Sequence, residues 1–299
     1  MRQDHHQLLK PEIINSLSGL ALIARVVVEG FLQGANRSRR VGSGMEFSQY
    51  RGYEPGDDLR LLDWKMLARS GRYYIKQSEV DTNIEVKFIL DASNSMQHGE
   101  MGMSKMDLAR VLIASLAYLA LNQGDSVGLY AVNDRKLHSL FPKGSKQHYN
   151  RLLHELLQIK SGGKWPNDAQ STEKLHERGK KELIFFLTDM YEQGTELNAF
   201  IKRLKTPRNE VVVFHIMGNL EMDFDHKGTV TFEDLETGAR VKVETKEAKK
   251  QYLEALESFL NGVKEQLLVL GAGYHLVKMG SHIPEALQVF LRQRNVLTR

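Results

Sequence analysis

Asp91, Ser93 and Ser95 place oxygen-bearing side chains at every second position of the stretch Asp-Ala-Ser-Asn-Ser. In extended chain that spacing aims all three to one side. A carboxylate beside two hydroxyls is a hard-oxygen donor set, of the kind that suits Mg²⁺, which keeps several of its waters. The same residues are also turn formers, with Asp91 able to cap whatever follows. A second carboxylate, Asp189, stands just past another apolar run, Leu183 to Leu187. If the two runs are neighbouring parallel strands, both carboxylates reach the crevice outside the strand ends, where ligands of open parallel sheets gather. Strand-terminal Asp residues also cap helices, but a shared crevice favours a metal site built from Asp91, Ser93, Ser95 and Asp189.

The elements that must position these groups are legible from periodicity. Ile84, Val86, Phe88, Ile89 and Leu90 have the β-branched and aromatic composition of a buried strand. Ser104-x-x-Asp107 is a capping box opening a helix from Lys105 to Asn122, which is apolar nearly all round between Val111 and Leu121 and so is buried on more than one side. Val127 to Val132 reads as a strand with Leu137 to Phe141 as its hairpin partner, followed by a helix from Ser145 to Ile159 and a loop from Ser161 to Ser171. After the strand ending at Leu187 come a helix to Leu204, a strand from Val211 to Ile216 and a hairpin over 229–243. A long amphipathic helix through Leu253 and Leu270, a strand from Tyr274 to Met279 and a helix from Ile283 to Gln293 complete the chain. Strands alternating with helices predict an α/β fold with right-handed crossovers, a doubly wound and largely parallel Rossmann-like sheet.

Residues 1–80 read as an N-terminal extension packed on a main domain of 81–299. Ile13, Leu17, Leu20, Ala24, Val27 and Phe31 recur at helical spacing, with Pro11 near the start, as in an amphipathic docking helix. Arg25 and Glu29 limit the apolar run, which is too short to span a bilayer and lacks the features of a secretory signal. The expected location is the cytoplasm. Gln33 to Arg40 reads as a basic linker. Gly42 to Glu79 interleaves Leu59, Leu61, Leu62, Trp64 and Leu67 with charges of both signs, a pattern expected of a structural collar.

Composition narrows the function classes. With 299 residues and 41% of them hydrophobic, the chain buries a full core, and with no cysteine it has neither disulfides nor thiolate chemistry. A net charge of +4 permits nucleic-acid binding through the basic N-terminal region without demanding it. Gly162-Gly163-Lys164 lacks the upstream glycine and the following hydroxyl of a phosphate-binding loop. No Gly-x-Ser-x-Gly elbow surrounds Ser93 or Ser95, and Asp91-Ala92-Ser93 lacks the Asp pair of a Mg²⁺-dependent phosphatase. A non-catalytic protein is therefore expected, with a Mg²⁺-dependent hydrolase and a nucleic-acid binder as the alternatives.

These residues carry a resemblance. Asp91-x-Ser93-x-Ser95 after a buried strand, with Asp189 after a later one, resembles the metal-ion-dependent adhesion site of von Willebrand factor A domains. Arg51-x-Tyr53-x-Pro55-Gly56-Asp57-Asp58-x-Arg60, with Asp63-Trp64 through Ala68-Arg69, resembles the block that the domain of unknown function 58 family sets before such a domain. The likeness spans about Gly42 to Met217. It implies a von Willebrand factor A-like fold, a divalent cation with an open position completed by an acidic residue of a partner protein, and association with a MoxR-type AAA+ ATPase in complex assembly or maturation. Two features depart from the pattern. Members often carry membrane helices, and none is expected from this sequence. The adhesion site also uses a threonine soon after a glycine pair, where this chain has Lys164, with Ser161 just before and Thr172 farther on. A Lys164 ammonium aimed at Asp91 and Asp189 is a candidate substitute for the cation.

Overall fold

The computed structural model of this chain describes residues 9–39, 49–54, 62, 64–77, 83–100, 102–166, 180–191, 196–235, 237–280 and 283–298. In chain order these form α1 (Pro11–Ile14), α2 (Leu17–Arg39), β1 (Gln49–Gly52), α3 (Trp64–Ser70), β2 (Tyr74–Gln77), β3 (Glu85–Asp91), β4 (Gly99–Glu100), β5 (Met103–Ser104) and α4 (Lys105–Asn122). There follow β6 (Ser126–Val132), β7 (Leu137–Lys143), α5 (Lys146–Gln158), β8 (Glu182–Thr188), α6 (Glu196–Leu204), β9 (Asn209–Met217), α7 (Asn219–Asp223), β10 (Thr229–Glu233), β11 (Arg240–Glu244), α8 (Thr245–Val269), β12 (Gly273–Lys278) and α9 (Pro284–Thr298). Two compact units result, one of residues up to Phe31 together with Asn83–Arg299, the other of Leu32–Thr82.

The larger unit is built on a six-stranded sheet in the order β12-β9-β8-β3-β6-β7. Every neighbour pairs in parallel except β7, which returns antiparallel on β6 as a hairpin. The strands' two-residue period divides their side chains between two faces. Val86, Phe88 and Leu90 of β3 join Leu183, Phe185 and Leu187 of β8 on one face, beneath α4, α5 and α9. Phe88, Phe185 and Phe214 stack across three strands there, with centroids 5.7 and 5.4 Å apart. Ile89, Ile184, Phe186, Val211 and Val213 form the other face, covered by Leu197, Phe200 and Ile201 of α6 and by Val263 and Leu267 of α8. The sheet is the doubly wound, largely parallel one that both the alternation and the von Willebrand factor A resemblance led us to expect. Because β6 and β8 flank β3 on opposite sides, the winding reverses at β3 and β8, which opens a crevice at their carboxyl ends.

Local signals set the element ends. Ser104 Oγ accepts from the Asp107 backbone N–H at 3.0 Å and the Asp107 carboxylate accepts from the Ser104 N–H at 3.1 Å, so the expected capping box starts α4. α4 is buried along nearly its whole length, as its all-round apolarity required. The docking helix buries Leu20, Ile23, Ala24 and Val28 fully, while Leu17 stays exposed. The basic linker expected from Gln33 is instead helical as far as Arg39, consistent with the good helix formers Gln33, Ala35, Arg37 and Arg39 in that stretch. The segment read as one extension, 1–80, thus divides near Phe31, its first part belonging to the sheet unit.

In the smaller unit β1 and β2 pair antiparallel from Gln49↔Gln77 to Gly52↔Tyr74, and the rings of Tyr53 and Tyr73 continue that pairing at 6.1 Å. α3 buries none of its residues, and Trp64, expected to pack, is 65% exposed. Pro55 to Leu61 and Asp63, the centre of the family-like block, lie outside the described residues. No helix among the described residues is long and apolar enough to cross a membrane.

Candidate functional site

β3 and β8 run in register up to Leu90↔Leu187, so Asp91 and Thr188 leave the sheet side by side. Beyond Asp91 the chain folds back at once: the Asp91 carboxylate accepts from the Ser93 N–H at 2.9 Å, and Asn94–Gln97 form a 3₁₀ turn. The turn aims both serine hydroxyls the same way. Ser93 Oγ lies 2.9 Å from Ser95 Oγ, and Ser95 Oγ donates to Asp189 Oδ1 at 3.1 Å. Asp91, Ser93, Ser95 and Asp189 are therefore gathered in one buried site, each no more than 6% exposed.

The loop after α5 is laid over this turn. Gly162 N–H donates to the Ala92 carbonyl at 2.8 Å, Asn94 N–H to the Gly163 carbonyl at 3.0 Å, and the Gln97 side chain to the Ser161 carbonyl at 2.9 Å. Ser161 thus borders the site through its main chain. Gly163 sits at φ +72°, and a Cβ there would fall 1.9 Å from Asp134 Oδ1. Gly163→Ala is expected to cost about 1–3 kcal/mol from the strained backbone alone and to loosen this loop. A urea titration of the variant checks it; a loss within error of zero would show that the loop is not held as described. Lys164 points elsewhere in role: its side chain is exposed and its carbonyl accepts from the Asp134 N–H at 2.8 Å. Thr172 lies outside the described residues.

The ammonium beside the carboxylates belongs to Lys105, the first residue of α4. Its Nζ lies 3.1 Å from Asp189 Oδ2 and 2.8 Å from Glu221 Oε1, with the side chain only 4% exposed. Burial alone would pull its pKa down, but Asp189 and then Glu221 reverse this and raise it above the ordinary lysine value. Three further residues escaped sequence reading. Thr188 donates from Oγ1 to Asp91 Oδ2 at 2.8 Å. His215 on β9 lies 2.8 Å from Tyr274 Oη through Nδ1, and its pKa is lowered to about 4, chiefly by burial. Glu221, on α7, caps its own helix by accepting from the Gly218 N–H at 2.6 Å. A threonine at a strand end and a histidine inside an apolar strand were the available signals; nothing local marks Lys105 or Glu221 as neighbours of Asp189.

Chemically, the site concentrates negative charge. Burial, and next the like charge of Asp189, push the Asp91 carboxyl from 3.8 up to about 6, while bonds from Ser93 and Thr188 work the other way. A divalent cation relieves that repulsion, and two carboxylates with two hydroxyls form the oxygen set that Mg²⁺ takes. The residues present fit such an ion. Among the described residues no cluster of three or more His, Cys, Asp or Glu side chains is placed to hold a metal ion, at this site or elsewhere. Alongside lies a groove of about 440 Å³, lined by Ser95, Lys105 and Asp189 together with Phe224, Phe232 and Tyr252. Phe224 stacks on Tyr252 with centroids 4.5 Å apart.

The model of the family described as "Protein of unknown function DUF58" matches residues 49–258. "Uncharacterized protein Rv1480" of Mycobacterium tuberculosis is 23% identical over 231 residues, covering 76% of this chain and 72% of that protein. Among solved structures, the conserved hypothetical protein BatB from Bacteroides thetaiotaomicron aligns at 15% identity with a TM-score of 0.44, covering 70% of this chain and 100% of that one. An aerotolerance-related membrane protein from Bacteroides fragilis aligns at 19% identity with a TM-score of 0.46, covering 71% and 99%.

Proposed function

The chain belongs to the DUF58 family, and on that premise we propose that it is a non-catalytic, protein-binding adaptor which docks an acidic residue of a partner at the Asp91 crevice. The observation that carries this is the convergence of Asp91, Ser93, Ser95 and Asp189 at the ends of two adjacent parallel strands. Asp91, Ser93, Ser95 and Asp189 would hold a Mg²⁺ ion. When bound, such an ion supplies a coordination position left open by the few protein carboxylates, which an external carboxylate completes. The chain's own residues prepare that contact. Thr188 fixes the Asp91 carboxylate, and Ser95 fixes one oxygen of Asp189. Water is limited by burial, which strengthens a charge-assisted contact. The adjoining groove leaves room for residues flanking the partner's acid. The partner we propose is a MoxR-type AAA+ ATPase of the cytoplasm, with the pair acting in the assembly or maturation of a protein complex.

Asp91→Ala should reduce Mg²⁺-dependent recovery of a co-expressed MoxR-type ATPase in pull-downs at least tenfold, and EDTA should do the same to the wild type. Equal recovery in all conditions would remove the docking mechanism. Hydrolytic turnover by the purified chain, lost on Asp91→Ala, would favour the hydrolase alternative instead. A steep salt dependence in RNA or DNA binding would favour the nucleic-acid one.

A further inference from the structure

We propose that Lys105 is the resident cation of the strand-end site: it holds Asp189 and Glu221 together without a metal and sets the affinity for a hard divalent ion low. This rests on the metal-site reading above and adds the residue that governs ion occupancy.

Three observations carry it. Lys105 Nζ is in contact with two carboxylates, Asp189 at 3.1 Å and Glu221 at 2.8 Å, so its charge is fully engaged. Its side chain is 4% exposed, and an ammonium in so dry a place is tolerated only when paired. The two oxygens of Asp189 are divided, Oδ2 to Lys105 and Oδ1 to Ser95, so the lysine shares its carboxylate with the proposed ion's own ligand set.

The consequence follows from charge. Asp91, Asp189 and Glu221 bring three negative charges, of which the ammonium offsets one. A divalent ion entering beside Asp91, Ser93 and Ser95 meets a fixed positive charge on the far side of Asp189. Two like charges that share one buried carboxylate repel across it, and at an effective dielectric near 20 this changes ion affinity by about tenfold or more. Lys105 also links the site to Glu221 on α7, the wall of the groove, so it is a positioning residue for both.

The test is calorimetric titration of the full chain with MgCl₂ and MnCl₂, together with melting curves in EDTA and in excess MgCl₂. Lys105→Met is expected to bind either ion at least tenfold more tightly than the wild type. It should melt lower in EDTA and gain more from MgCl₂. If the methionine variant does not fold, Lys105→Gln removes the charge while keeping a donor for Asp189 and carries the same comparison. Wild-type binding with no tightening in the variant overturns this inference and leaves the metal site standing. Binding by the variant alone supports the inference and makes the metal site latent in the wild type. Binding by neither overturns both.

Discussion

Asp91→Asn is expected to stabilise the metal-free protein near neutral pH by about 1–3 kcal/mol and to make its stability fall on acidification from about pH 6 to 4, where the wild type's is nearly flat. The Asp91 carboxyl titrates at about 6 in the folded chain against 3.8 for an ordinary aspartate, through burial first and the Asp189 charge second. The folded state therefore takes up its proton before the unfolded state does. Stability from this group is present at low pH and is lost as pH rises from about 4 through about 6, by roughly 3 kcal/mol in full. Asparagine is neutral at every pH but gives up part of the bonding from Ser93 and Thr188, which sets the lower figure. His215 acts oppositely. Its folded pKa of about 4 lies below the ordinary 6.5, through burial, so the unfolded chain is protonated first as pH falls. That stability is present above pH 6.5 and is lost by pH 4, again by about 3 kcal/mol. In the wild type the two contributions offset each other between pH 4 and 6; in Asp91→Asn only the histidine loss remains. Urea titrations in EDTA across this range measure both. A variant that is less stable at neutral pH, or whose profile runs parallel to the wild type, would contradict the assigned burial of Asp91.

Lys87→Met is expected to cost about 3–5 kcal/mol. Lys87 lies on β3 near the amino end of the strand, with its side chain 2% exposed. Its ammonium pairs with Glu182 at 2.5 Å and Glu85 at 3.4 Å. Removing the cation takes one ion pair from each of two buried carboxylates, Glu182 at 3% and Glu85 at 6% side-chain exposure. Lys87→Met with Glu182→Leu should recover most of the loss, because a buried pair replaced by apolar groups of similar volume is nearly neutral. The double-mutant cycle, read by urea denaturation, isolates the coupling. If the double variant is as unstable as the single one, the cost arises from packing and not from the lost ion pair.

By itself the sequence determined the elements and their order, because periodicity is a local property of the chain. The buried strand before Asp91, the capping box at Ser104 and the apolar helix behind it follow from neighbouring residues alone, and the structure carries them at nearly the expected bounds. The DxSxS turn and the strand-end Asp189 were visible for the same reason. Which strands are neighbours is not local. Only the sheet order put β8 beside β3 and thereby brought Asp189 to Ser95 across 94 residues of chain. The expectation that a lysine accompanies the carboxylates had its residue wrong: the ammonium is that of Lys105, while Lys164 is exposed. Read along the chain, Lys105 is merely the first residue of a helix. It becomes the partner of Asp189 and Glu221 because α4 begins beside the carboxyl end of β8, and burial there leaves its charge no stable place except between two carboxylates.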